Sequence, residues 1–213
     1  MNDASDSKAD CYSAQERAGM VRYQQFKDWL LEPMLAAMTR CRISADFVTG
    51  VSTIAGLAFC PLYFWSAPWA YACLAVHLLL DGLDGPLARH SGSASRSGSF
   101  TDTVGDQLVV IATTVTWMYA KTISQPGIDI ISGSVYLSLY TVVVAFAVVR
   151  NSMGIPYTWL LRPRNFVYAW FLLESFVLID TQFAGSVVYF IWFFNAILAV
   201  KFVTGFLSIR AQL

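Results

Sequence analysis

Between Asp46 and Leu207 the chain is a succession of long apolar runs with short polar breaks, a pattern that leaves few folds open. The runs cover about 46–65, 68–89, 99–120, 132–150, 165–181 and 185–207. Crossing a hydrocarbon core about 30 Å thick takes roughly 20 helical residues, so each run suits one span. Pro or Gly beside polar residues marks the breaks, at Ser66-Ala67-Pro68, 91–97, Gln125-Pro126-Gly127, 154–163 and 181–185. The third boundary is the loosest, because residues 128–131 join either side equally well. At 56% apolar and 13% charged, the chain lies outside the soluble range of about 45–50% and about 25%. These features predict an all-α integral membrane protein, with residues 41–213 forming one domain of six transmembrane helices.

The segment before the first run is different in kind. Residues 1–13 are polar and lack the apolar stretch of a secretory signal, which predicts a disordered tail. Over residues 14–40, apolar side chains recur by threes and fours at Tyr23, Phe26, Leu30, Met34 and Met38. Arg17, Arg22, Lys27 and Asp28 take other positions, so the stretch reads as an amphipathic juxtamembrane helix in the membrane surface, bent near Pro33. The alternative is a soluble helix packed on a partner. Cys11, Cys41, Cys60 and Cys73 show neither a C-x-x-C pair nor a His at ligand spacing, and read as ordinary thiols. A formal net charge of zero gives a nucleic-acid partner no electrostatic support.

Basic residues orient the spans. Six crossings place both termini and the second and fourth connections on one side. Of the 14 Lys and Arg residues, that side holds Lys8, Arg17, Arg22, Lys27, Arg40, Arg42, Arg89, Arg96, Arg150, Arg162, Arg164 and Arg210. The other side holds Lys121, while Lys201 lies within the last run. The positive-inside rule then makes the termini cytoplasmic. Tyr63, Trp65, Trp69, Tyr71, Trp117 and Tyr119 gather at the opposite ends, as an interfacial belt does.

The second and third runs carry acids that a lipid-facing helix avoids. Asp81 and Asp84 lie three apart, and Asp102 and Asp106 four apart, so each pair shares one helix face. The short link from Arg89 to Gly98 makes the two helices antiparallel neighbours, and the pairs can meet. An acid at membrane depth costs about 2.5–3.5 kcal/mol even on lenient scales, and mutual repulsion adds to that. Arg89 or Arg96 can offset one charge each, but divalent cations do so with better ligand chemistry. All-oxygen ligation selects Mg²⁺, Mn²⁺ or Ca²⁺ over zinc, and two ions side by side suit phosphoryl transfer. Gly82, Gly85 and Gly98 flank the acids, where a missing side chain admits a bulky ligand; the alternative is close helix packing.

From Asp81 to Asp106 the chain reads D-G-L-D-G-P-L-A-R, eight residues, then G-S-F-T-D-T-V-G-D. It resembles the signature D-x-x-D-G-x-x-A-R-x8-G-x-x-x-D-x-x-x-D of the CDP-alcohol phosphotransferases, also called CDP-alcohol phosphatidyltransferases. Every fixed position matches. The resemblance implies an enzyme that moves the phosphatidyl group of CDP-diacylglycerol onto a small polar acceptor and releases CMP. It implies that Asp81, Asp84 and Asp102 bind two Mg²⁺ or Mn²⁺ ions and that Asp106 is the general base, with metal contact in some descriptions. Gly82, Gly85, Ala88, Arg89 and Gly98 would form the cytidine diphosphate pocket. Members often carry Pro-Asn and a Thr at the start of the first span; here Thr49 can correspond and Asp46 replaces the amide. Both are expected at the nucleotide, with a helix N-cap as the alternative for Asp46. A homodimer and a bacterial or archaeal cytoplasmic membrane complete the expectation.

Outside the signature, Arg150 ends an apolar run and is the candidate for binding a phosphate on the acceptor. Arg162 and Arg164 fit the positive-inside pattern better. His77 reads as a hydrogen-bonded core residue, His90 as solvent-facing, and Glu174 and Asn195 as helix–helix hydrogen-bond formers. Competing functions are transfer from CDP-choline or CDP-ethanolamine to diacylglycerol, a family reaction between two soluble substrates, and a divalent-cation transporter. The apolar outer half of the second run shows no continuous polar path for the last of these.

Overall fold

The computed structural model describes residues 14–123, 127–155, 163–176 and 185–213. The expected tail at 1–13, Gln125 and Pro126, Arg162, and most of the break at 181–185 lie outside the described residues. Among those described, the protein is all α-helix with no strand. The helices are α1 (Ala14–Arg40), α2 (Ala45–Trp65), α3 (Ala67–His90), α4 (Arg96–Thr122), α5 (Ile130–Ser152), α6 (Pro163–Phe176) and α7 (Val187–Arg210). On length and composition, α2, α5 and α7 are apolar enough to cross a membrane. α3 and α4 are as long, at 24 and 27 residues, but carry the acids; α6 is described for 14 residues.

Local chemistry sets the helix ends. Ser44, Ser95 and Asp129 cap the N-termini of α2, α4 and α5, accepting hydrogen bonds from Phe47 N (3.2 Å), Gly98 N (3.0 Å) and Ser132 N (2.8 Å). α1, α3 and α5 stop in Schellman motifs, closed by Ile43 N to Met38 O (3.0 Å), Ser93 N to Ala88 O (2.9 Å) and Ile155 N to Arg150 O (3.0 Å). The left-handed residues these closures need are Arg42, Gly92 and Gly154, with φ of 57°, 68° and 67°.

Contacts between elements give their directions. α2 runs antiparallel to α3, since Ser52 Oγ lies 3.0 Å from His77 Nδ1 near one end while Phe59 and Tyr63 pack on Tyr71 near the other. α2, α4 and α6 are parallel: Phe59 meets Trp117, and Thr113 and Trp117 meet Tyr168 and Phe171. α5 and α7 pair in the same direction, through Asn195 Nδ2 donating to Ser132 O (3.0 Å) and Phe146 stacking on Phe202. His77 and Asn195 thus take the core roles expected of them. Glu174 differs slightly: it accepts from the backbone N–H of Gly185 and of Val187 (3.0 Å), and so caps the start of α7 from α6.

The main core, around Phe59, Leu74, Val109, Trp117, Phe171 and Ile191, fills the half of the bundle away from the acids. A smaller cluster of Leu35, Ala45, Val48 and Leu87 seats α1 on α2 and α3 beside the acids. One expectation changes. α2 packs against both α3 and α4, whereas α3 and α4 share no extended backbone contact among the described residues. The two acid-bearing helices therefore flank α2 and face each other across a cleft.

Candidate active site

Three elements aim charged side chains into that cleft. From α3 come Asp81 and Asp84, 9% and 7% exposed; from α4 come the half-buried Asp102 and Asp106. Carboxylate oxygens of Asp81, Asp102 and Asp106 all lie within 4.8 Å of one another. Asp84 sits a turn further along α3, held towards α2 by Thr49, whose Oγ1 donates to its Oδ2 at 2.8 Å. The backbone N–H of Gly85 reaches its Oδ1 at 2.6 Å.

The third element is α6. Arg164, only 2% exposed, donates from one terminal nitrogen to Asp81 Oδ1 at 2.9 Å. Its other terminal nitrogen pairs with Asp106 Oδ2. A planar guanidinium offers each carboxylate its own terminal nitrogen in a fixed geometry that a single ammonium nitrogen lacks. Here the structure corrects the topological reading of Arg164: a cation buried with two acids compensates charge within the site. The available signal was an arginine near the start of an apolar run, where the cost of burial favours a functional role.

The glycines divide by what surrounds them. A Cβ on Gly82 would meet nothing nearer than Lys27 Nζ at 4.0 Å, and one on Gly85 nothing nearer than an Arg89 terminal nitrogen at 3.6 Å. Neither glycine mediates helix packing. That role falls to Gly56 and Gly105, where a Cβ would lie 2.6 Å from Val109 Cγ2 and 2.5 Å from Thr53 Oγ1. Gly105→Ala is therefore expected to destabilise the protein by about 1–3 kcal/mol. Gly82→Ala should instead stabilise by about 0.5–1 kcal/mol, the usual gain in a helix interior. Thermal unfolding of the two variants in detergent checks the contrast, and equal losses would disprove it.

The remaining predicted residues fall around the same end. Asp46 is in the first turn of α2, but Ser44 is the N-cap. Asp46 Oδ1 lies 3.6 Å from where a Gly98 Cβ would stand, so these two come together across α2 and α4. Ala88 packs on the Leu35 cluster. Arg89 pairs with Asp28 of α1, donating from Nε at 3.0 Å and from a terminal nitrogen at 2.6 Å. Arg150 is buried at the end of α5, and His90 is exposed as expected. Sequence reasoning gave Lys27 and Asp28 no part in the site.

The donor set of the cluster is carboxylate oxygen alone, which fits a hard divalent cation. Apolar helices converging on such a cluster define a membrane protein built around an acidic cation centre. Residues 42–207 match the family model for CDP-alcohol phosphatidyltransferase, and the chain belongs to that family. A phosphatidylinositol phosphate synthase of Cutibacterium acnes is 30% identical over 83 residues, covering 37% of this chain and 39% of that relative. The matched region is thus well under half of the relative's length. The solved phosphatidylinositol phosphate synthase of Mycobacterium tuberculosis with CDP-DAG bound superposes at a TM-score of 0.66. That superposition has 20% identity over 83% of this chain and 91% of the other. The same enzyme in complex with manganese and citrate gives a TM-score of 0.66 and 18% identity, over 84% and 88%. At such identities the likeness establishes the fold.

Proposed function

We propose that the protein transfers the phosphatidyl group of CDP-diacylglycerol to a hydroxyl of a small polar acceptor and releases CMP. The observation that carries this reading is the convergence of Asp81, Asp102 and Asp106 from two helices, inside a complete family signature. Asp81, Asp84 and Asp102 would hold two Mg²⁺ or Mn²⁺ ions, with Asp106 as a further ligand. Bound there, the ions supply neutralisation of the diphosphate and of the departing CMP. Asp106 takes the proton of the acceptor hydroxyl. Gly82 and Gly85 leave room for the nucleotide, Gly98 lines the α4 side close to Ser95 and Asp46, Arg89 faces the phosphates, and Asp46 and Thr49 close the α2 side.

In this reading α2 to α7 are six spans, with termini and active site on the cytoplasmic side of the cytoplasmic membrane. α1 lies in the interface: Phe26, Trp29, Leu30 and Met34 are exposed along it, while Leu31, Leu35 and Met38 turn inward. An exposed apolar face of that size suits lipid contact. A phosphorylated polyol is the favoured acceptor, supported by the buried Arg150 and by the similarity to phosphatidylinositol phosphate synthases. Transport of the cation is disfavoured by the aromatic block of Phe59, Tyr63, Tyr71, Trp117 and Phe171 beyond the site.

The test is CMP release from labelled CDP-diacylglycerol by the purified protein, with Mg²⁺ or Mn²⁺ and a panel of acceptors. Metal-dependent release with one acceptor class is expected. If no acceptor elicits CMP while the protein carries Mn²⁺ into liposomes, the transferase reading is wrong.

A further inference from the structure

Two cationic groups overlook the glycines of α3, and α1 governs both. Gly82 and Gly85 are three residues apart and so present one face of α3, a turn apart. Lys27 Nζ stands over the first and the Arg89 guanidinium over the second. Arg89 reaches back there because helical side chains lean towards the N-terminus, which brings its tip over the residue four positions earlier. Asp28 takes the edge formed by Nε and one terminal nitrogen, and the other terminal nitrogen, Nη1, is the one facing Gly85. A guanidinium has five N–H donors, so it can serve a carboxylate on one edge and a phosphate on another.

Stability does not explain this arrangement. The Asp28 and Arg89 side chains are each 35% exposed, and ion pairs in that setting contribute little to folding. α1 is anchored independently by Leu31, Leu35 and Met38. What the pair does fix is the direction of Arg89. The same stretch of α1 places Lys27 beside it.

We propose that α1 forms one wall of the nucleotide-diphosphate pocket. Lys27 contacts the diphosphate directly, and Asp28 is a positioning residue that holds Arg89 in place to do the same. This rests on the CDP-linked donor reading above and extends it to a helix outside the signature.

The test uses the full-length protein in detergent with Mg²⁺, with CDP as the probe in calorimetry and CDP-diacylglycerol in turnover. Lys27→Ala is expected to weaken CDP binding about tenfold. KM for the CDP-lipid should rise in proportion, with kcat within about twofold. Lys27→Arg should recover most of the loss, because it restores the cation. Asp28→Ala should raise KM about fivefold, and Asp28→Glu should partly rescue it, with unfolding temperatures unchanged. CDP affinity equal to that of the unaltered protein in both alanine variants overturns the inference, as does a loss confined to kcat. If the unaltered protein binds no CDP and releases no CMP, the donor reading falls, and this inference with it.

Discussion

Asp106→Asn is expected to lower the rate of CMP release by about 10²–10⁴-fold, the usual contribution of a positioned general base. The change keeps the shape of the side chain and removes its capacity to accept a proton. Binding of the CDP-lipid should stay near normal, because the pocket over Gly82 and Gly85 is untouched. Asp81→Asn makes the informative comparison. Both residues belong to the three-carboxylate cluster and both pair with Arg164, so the loss of that contact is common to the two variants. They should separate in metal dependence: Asp81→Asn chiefly shifts the Mg²⁺ titration to higher concentration, whereas Asp106→Asn, which removes a further ligand as well as the base, shifts it less and chiefly lowers the plateau. Initial rates against Mg²⁺ concentration decide between these outcomes. The base assignment is wrong if Asp106→Asn retains a tenth or more of the activity, or shifts the titration as far as Asp81→Asn.

The second large effect is expected at Arg164. Removing one partner of a buried ion pair costs about 3–5 kcal/mol, because the remaining charge is left without compensation. Arg164→Met preserves much of the side-chain volume and takes away the cation that bridges Asp81 and Asp106. At about 2–4 °C per kcal/mol for a chain of this size, the metal-free variant should unfold about 6–20 °C lower. Added Mg²⁺ or Mn²⁺ should recover more stability in the variant than in the parent, since the cation then offsets acids that Arg164 no longer serves. Arg164→Lys should fall between, because it keeps the charge but lacks the planar fork that presents a separate nitrogen to each carboxylate. Thermal unfolding in chelator and in Mg²⁺ measures all three. An Arg164→Met protein as stable as the parent in chelator would show that the ion pairs do not matter to the fold.

What could be read from the chain follows from how local each feature is. The apolar runs gave the helices, because the length of a run and its Gly or Pro punctuation are properties of neighbouring residues. The acids of α3 and α4 were equally legible, since spacings of three and four fix a face without knowledge of the fold. His77 and Asn195 were correctly placed in the core, a polar residue in an apolar run having few other options. Contacts made across long stretches of chain were not legible. Asp28 and Arg89 are 61 residues apart and Arg164 and Asp81 are 83 apart, and no periodicity links either pair. A short link between α3 and α4 suggested that they pack together, but α2 supplies the surface on which both lie. The glycines were only partly legible: composition shows where a side chain is missing, but only the packing shows Thr53 against Gly105 and open space at Gly82.

The distance along the chain between Arg164 and its partners also bears on biosynthesis. α3 and α4 are complete well before α6 is made, so Asp81 and Asp106 are synthesised ahead of the cation that the chain itself provides. On the six-span proposal, each acid left uncompensated at that stage costs about 2.5–3.5 kcal/mol at membrane depth. The order of synthesis makes the arrival of α6 a later event than the completion of α3 and α4. Under the six-span proposal, the final seating of the acid-bearing helices therefore waits for α6, whose Arg164 pairs with Asp81 and Asp106.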